Sequence, residues 1–226
     1  MDLSFAVHKL AKFSENYGKV HFEGLVHLLR YIRDNNTLGL KYYIDLNDTP
    51  VTDLLRQDNI KTKNHLMAFS DSGWQDCPDT GRSTGAYNIF YQGGPIDHGT
   101  HVPGPVAQSS AEIEYNAACT AGIALSHSRM LVHDLLNEDS DMVPKEVPLI
   151  FLGSKSAMCI AKNGKDNKHT RHISRIMHLV RNGEKCKMQK IDWCEGDLQL
   201  AAIVTKNVSE PDLTPKIKYI MVINEN

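Results

Sequence analysis

Asp71 closes an apolar, strand-like run, Leu66 to Phe69, and is followed by a Gly-rich polar turn and a second strand-like run, Ala86 to Tyr91. An acid at the mouth of a hairpin is ordinarily a turn residue. It carries chemistry only if other carboxylates converge on it. Rival chemistries are poorly supplied. His8, His21, His27, His65, His98, His101, His127, His133 and His178 form no H-x-x-x-H or H-E-x-x-H signature, which leaves a zinc enzyme unsupported. Cys77, Cys119, Cys159, Cys186 and Cys194 are odd in number, widely spaced and without a C-x-x-C pair, so they read as reduced thiols. The turn "SDSGWQDCPDTG" lacks the lysine and spacing of a phosphate-binding loop.

The elements around Asp71 decide what it can meet. With 226 residues, 41% hydrophobic and 23% charged, the chain can bury a core as one domain plus an appendage. It has no run of eighteen apolar residues, and Met1-Asp2-Leu3-Ser4 lacks the layout of a signal peptide. The expectation is a chain of the cytoplasm or nucleus, neither secreted nor membrane-bound. Helical spacing over His21–Asp34 puts Phe22, Leu25, Val26, Leu29 and Ile32 on one face that needs a partner, after a shorter helical stretch from Phe5 to Phe13. Leu40 to Leu46 is strand-like, and the polar stretch from Asn47 to Asn64, broken by Pro50, reads as a linker.

Three strands then follow: Leu66 to Phe69, Gly85 to Tyr91, and a piece near Pro95 to Thr100. A long helix opens at Ser109 or Ser110, with Glu112 and Glu114 in its first turns, and runs to Leu136. Val147 to Gly153 reads as a buried strand and "SKSAMCIAK" as a helix. His172 to Gly183 is a helix closed by Gly183, "KCKMQKIDWC" an edge strand, and "EGDLQLAAIVTK" a helix capped by Asp197. The order β-β-β-α-β-α-α-β-α predicts an α/β mixed sheet flanked by helices.

Charge is uneven. From Lys155 to Lys190 ten basic residues face two acids, Asp166 and Glu184, making this segment +8 in a chain whose net charge is −2. A phosphate backbone rewards such a cluster through counterion release, while a solvated helix face accounts for it equally well.

The ordered motifs resemble the ribonuclease H end of copia-type retrotransposon polyproteins along nearly the whole chain. "FSDSGWQDCPDTGRSTGAYNIFYQGG" is similar to that family's first-strand Asp and Trp motif with its R-S-T return strand. "VAQSSAEIEYNAA" is similar to its S-S-T-E-A-E-Y helix start, "KHTRHI" to its R-T-K-H-I loop, and "LQLAAIVTKNV" to its Q-x-A-D-I-x-T-K ending. Upstream, "AVHKLAKFSENYGKVHFEGLVHLLRYIRDNNTLGLKYY" resembles the last helices of the reverse transcriptase. The resemblance implies a reverse transcriptase remnant over 1–46, a linker over 47–64 and a ribonuclease H-like domain over 65–226. The polymerase's catalytic palm is not among these residues, so no polymerase activity is expected.

Ribonuclease H hydrolyses the RNA strand of RNA–DNA hybrids with two Mg²⁺ ions about 3.5–4 Å apart. Hard cations need clustered oxygen ligands. The resemblance assigns Asp71 and Glu114 to two of the family's four acidic positions, as catalytic and metal-binding residues. The other two lack acids: "IFLGSKSA" puts Gly153 where the third Asp belongs, and Ala201-Ala202-Ile203 puts Ala202 at the fourth. Gly73 also departs from the family, where many members have a second Asp. Glu112, Glu195, Asp197, Asp76 and Asp79 are expected to serve as cap, surface or turn acids. Mg²⁺ binding is thus expected to be weak and nuclease activity impaired or absent. Lys155, Lys162, Lys165, Lys168, His169, Arg171, His172 and Arg175 are expected to meet a hybrid or another nucleic-acid duplex. The alternatives are a non-catalytic nucleic-acid- or protein-binding module, or a fragment without a selected function.

Overall fold

The computed structural model describes residues 1–43, 49, 51, 56, 66–103, 106–136, 144–162, 174–206 and 210–223. Helices α1 (Ser4–Ala11) and α2 (Lys19–Asp34) lead to strand β1 (Leu38–Leu40). Strands β2 (Leu66–Gly73), β3 (Thr84–Tyr91) and β4 (Gly94–His101) form a meander, followed by the long helix α3 (Ser110–Leu135). Then come β5 (Leu149–Leu152), α4 (Lys155–Lys162), α5 (Ser174–Lys185) and β6 (Lys190–Trp193). A 3₁₀ turn (Gly196–Leu198), α6 (Ala202–Thr205), α7 (Glu210–Ile220) and β7 (Met221–Ile223) follow. No helix among the described residues is long and apolar enough to cross a membrane.

The main sheet has the order β4-β3-β2-β5-β6, in which β4–β3 and β3–β2 pair antiparallel and β2–β5 and β5–β6 pair parallel. This is the mixed α/β sheet flanked by helices that the motif order predicts. Central strand β2 is buried on both faces, so its run is continuously apolar rather than alternating. Leu66 and Ala68 pack with Tyr115, Ala118, Ile150 and Leu152 on the α3 side. Met67 and Phe69 pack with Phe151, Leu200 and Ile203 on the other. The period of two therefore puts Asp71 on the α6 side and Ser72 on the α3 side.

Several sequence expectations need correction. The strand expected at Leu40 to Leu46 is β1, which starts two residues earlier, and residues 44–48 lie outside the described residues. Helix α5 passes through Gly183 to end at Lys185. The glycine serves packing instead of termination, because a Cβ there would stand 2.9 Å from Gln189 Nε2. "EGDLQLAAIVTK" is no continuous helix: a 3₁₀ turn and short α6 are separated by Gln199 in extended backbone, and Asp197 caps neither.

On α2 the packed face differs from the expected stripe. Gly24 sits 3.3 Å, as measured from an added Cβ, from Leu10 of α1; His21 stacks on Phe13; and the Tyr31 hydroxyl donates to Asp2 at 2.8 Å. Phe22, Leu25, Leu29 and Ile32 are exposed. Two strands tie distant regions together, because β1 pairs antiparallel with β7 from Leu38 opposite Ile223 to Leu40 opposite Met221. Of the stretch read as a linker, Thr49 and Val51 are fully buried.

Candidate active site

Asp71 lies near the end of β2, opposite Ala86 of β3, one residue beyond the parallel pair Ser70 and Leu152. The next residue on the neighbouring strand is Gly153. A Cβ built on it would be 3.6 Å from Asp71 Oδ1 and 3.6 Å from Gln199 Nε2, ordinary contact distances. The fourth position, Ala202, begins α6 and is 3% exposed. One turn later Thr205 reaches Asp71, with Oγ1 2.6 Å from Oδ2. The same hydroxyl is 3.0 Å and 3.2 Å from the carbonyls of Ala201 and Ala202. Its single proton goes to the carboxylate, the nearest and only charged acceptor.

Glu114 enters from the second turn of α3, an element held by a reciprocal cap. Ser109 Oγ accepts from Glu112 N at 3.2 Å, and Glu112 Oε2 accepts from Gln108 N at 2.7 Å. Glu112 is thus engaged as a cap. Ser72 hydrogen-bonds the Glu114 carboxyl through side chain and backbone, while Oε2 is buried without a hydrogen-bond partner. Burial first and the Asp71 charge second push Glu114 up to about 8 from 4.5, against the opposing pull of Ser72 and Lys206. Asp71 and Glu114 are close enough to feel each other, and burial favours the protonated form of Glu114.

Residues that sequence reasoning missed complete the surroundings. Lys206 Nζ stands 3.3 Å from Asp71 Oδ2. Gln199, 2% exposed, donates from Nε2 to Ser70 O at 3.0 Å and lies 3.4 Å from Phe151 O, bridging the ends of β2 and β5. Lys216 of α7, 7% exposed, donates to the carbonyls of Gly196 and Asp197 at 2.8 Å each, and burial pulls its pKa down. The signal for Thr205 and Lys206 was present in the "IVTK" ending. Lys216 had none, since it is placed by tertiary packing alone.

The other expected acids and bases are dispersed. Asp76 binds Lys9 and receives a bond from Thr84 Oγ1 at 2.8 Å. Lys155 Nζ lies 4.0 Å from the centroid of the Trp193 ring, and the Trp193 indole donates to Gly153 O at 3.3 Å. This puts a cation and an aromatic beside the missing third acid. Lys162 is 3.9 Å from Asp192 Oδ1. Lys165, Lys168, His169, Arg171 and His172 lie outside the described residues, as does the side chain of Arg175.

The donor set does not suit a two-metal centre. Two carboxylates are present at the cleft, one oxygen of Asp71 is already held by Thr205 and Lys206, and among the described residues no three His, Cys, Asp or Glu side chains group as metal ligands.

No protein-family model matches the chain. It is 26% identical over 213 residues to the retrovirus-related Pol polyprotein from transposon TNT 1-94 of Nicotiana tabacum, covering 92% of this chain and 14% of the relative. It is 24% identical over 208 residues to the Pol polyprotein from transposon RE1 of Arabidopsis thaliana, covering 92% and 13%. The chain thus spans about one seventh of the length of these relatives. Among solved structures, the N-terminal RNase H domain of Rv2228c from Mycobacterium tuberculosis covers 68% of this chain and 99% of its own, with a TM-score of 0.46 and 9% identity. LC11-RNase H1 in complex with an RNA/DNA hybrid covers 59% and 88%, with a TM-score of 0.40 and 13% identity.

Proposed function

We propose that this chain, homologous along 92% of its length to copia-type retrovirus-related Pol polyproteins, is a ribonuclease H-like segment whose hydrolysis of the RNA strand of RNA–DNA hybrids is impaired or absent. The observation that carries this reading is the empty side of the cleft: no side chain at Gly153, 3.6 Å from Asp71 by an added Cβ, and a buried methyl at Ala202. In the proposed family chemistry, paired Mg²⁺ ions stabilise the attacking and leaving oxygens of the phosphodiester. Here Asp71 and Glu114 would be the only ligands of four.

Restoration tests the idea directly. Gly153→Asp with Ala202→Asp is expected to give Mg²⁺- or Mn²⁺-dependent hybrid cleavage, and either change alone little, since residues acting as a unit are not additive. The backbone at position 153 accepts a Cβ at ordinary contact distances. Cleavage by the unaltered protein that disappears in Asp71→Asn would reverse the assignment of inactivity.

A second reading, retained duplex binding, is favoured by Lys155 and Trp193 at the rim of the cleft and by the basic stretch around them. Binding should weaken with salt as phosphate neutralisation requires. Neutralising Lys162, Lys165, Lys168 and Arg171 together is expected to flatten the dependence of log K on log salt. An unchanged slope assigns those charges to solvation.

A further inference from the structure

We propose that Lys206 is the resident counter-cation of the cleft, so that the Asp71 site is electrostatically complete without a divalent metal. This rests on the reading of the cleft as a depleted metal site, and it adds what has taken the metal's place. Asp71 has 6% of its side chain exposed, and a carboxylate that buried is unfavourable unless its charge is met. It is met twice at one oxygen: Thr205 Oγ1 at 2.6 Å and Lys206 Nζ at 3.3 Å, both on Oδ2. The Lys206 side chain is 54% exposed, so its stem spans from solvent to the buried acid and its head closes the cleft from outside.

The remaining charges agree. Asp71 and Glu114 are the acids of the cleft among the described residues. Lys206 touches Asp71, and Lys216, fixed on the Gly196 and Asp197 carbonyls, is close enough to interact with both Asp71 and Lys206. The two acids of the cleft are therefore matched in number by two lysines. Acids at positions 153 and 202 would tip this balance toward anion and give a cation a reason to enter. As the chain stands, Mg²⁺ would have to displace an ammonium from Oδ2 and complete an octahedron without a third carboxylate.

The test uses Mn²⁺ and Mg²⁺ themselves as probes of the whole chain. Thermal unfolding of the unaltered protein is expected to be the same in EDTA, millimolar Mg²⁺ and millimolar Mn²⁺, with no loss of the free Mn²⁺ paramagnetic resonance signal. Lys206→Met should unfold at lower temperature, regain part of that loss in Mn²⁺, and lose the metal response when Asp71→Asn is added. Should Lys206→Met not fold without metal, the Asp71→Asn/Lys206→Met pair, which removes both charges, is expected to fold and to ignore Mn²⁺. Mn²⁺ binding by the unaltered protein that Asp71→Asn abolishes would overturn the proposal, as would a Lys206→Met protein with unchanged stability and no metal response. Failure of the ribonuclease H-like reading would show elsewhere, as a folded Gly153→Asp/Ala202→Asp protein that neither cleaves nor binds a hybrid.

Discussion

The sheet and the N-terminal helices use similar amounts of apolar sequence to opposite ends. On β2 and β5, Leu66, Met67, Phe69, Ile150 and Phe151 are all fully buried, and the rings of Phe69 and Phe151 stack at 5.2 Å. On α2 no residue is fully buried, and Phe22 and Leu29 are each 57% exposed. Periodicity announces that a helix has an apolar face; the partner that covers the face lies in the rest of the fold. The contrast also separates scaffold from chemistry. The strand that carries Asp71 is packed on both sides, while the neighbouring positions 153 and 202 hold a glycine and an alanine.

The sharpest way to break the comparison is truncation of one side chain in each region. Phe151→Ala is expected to cost about 3–5 kcal/mol in urea unfolding. Leu29→Ala on α2 should cost no more than about 0.5 kcal/mol. Amides of α2 should also exchange faster than those of β2 and β5. A comparable cost at Leu29 would mean that its face is covered in solution.

The next effect is pH-dependent. The folded state holds the Glu114 proton more tightly than the unfolded chain does, because its pKa is raised from 4.5 to about 8. The contribution from Glu114 is therefore fully present below about pH 4.5 and is lost as pH rises through about 8. Glu114→Gln, which keeps a neutral side chain, should flatten the stability curve between these limits and leave the protein relatively more stable at pH 8 and above. An unchanged curve would mean that Glu114 ionises freely. Smallest of the set, Ser109→Ala should cost about 1 kcal/mol through loss of the α3 cap, readable as a lower unfolding midpoint.

How much of this was legible depended on whether a local rule sufficed. Ser109 as cap, the β2–β3 hairpin and the buried β5 follow from spacing and punctuation. The placement of Asp71 beside position 153 follows once β2 and β5 are neighbours in parallel. The break at Gln199 could not be read locally, because a helix is interrupted there by an amide that serves the ends of two strands. Helix α7 was beyond the reading, as Pro211 and Pro215 signal interruption although Pro215 lies inside the helix. The α2 face was misjudged because its contacts are made by Gly24, close to Leu10 of α1, and by the Tyr31 hydroxyl, bonded to Asp2 ahead of α1, which an apolar stripe does not announce.

The β1–β7 ribbon bears on the order in which the chain folds. Its partners are residues 38–40 and 221–223, so closing it requires bringing together segments separated by most of the chain, an entropic cost that rises with loop length. The meander β2–β4 and helix α3 involve far shorter loops and are expected to organise first. During synthesis β1 emerges early and must wait, unpaired at its ribbon edge, until residues 221–223 have left the ribosome. That interval is when the nascent chain is most open to chaperones and to aggregation.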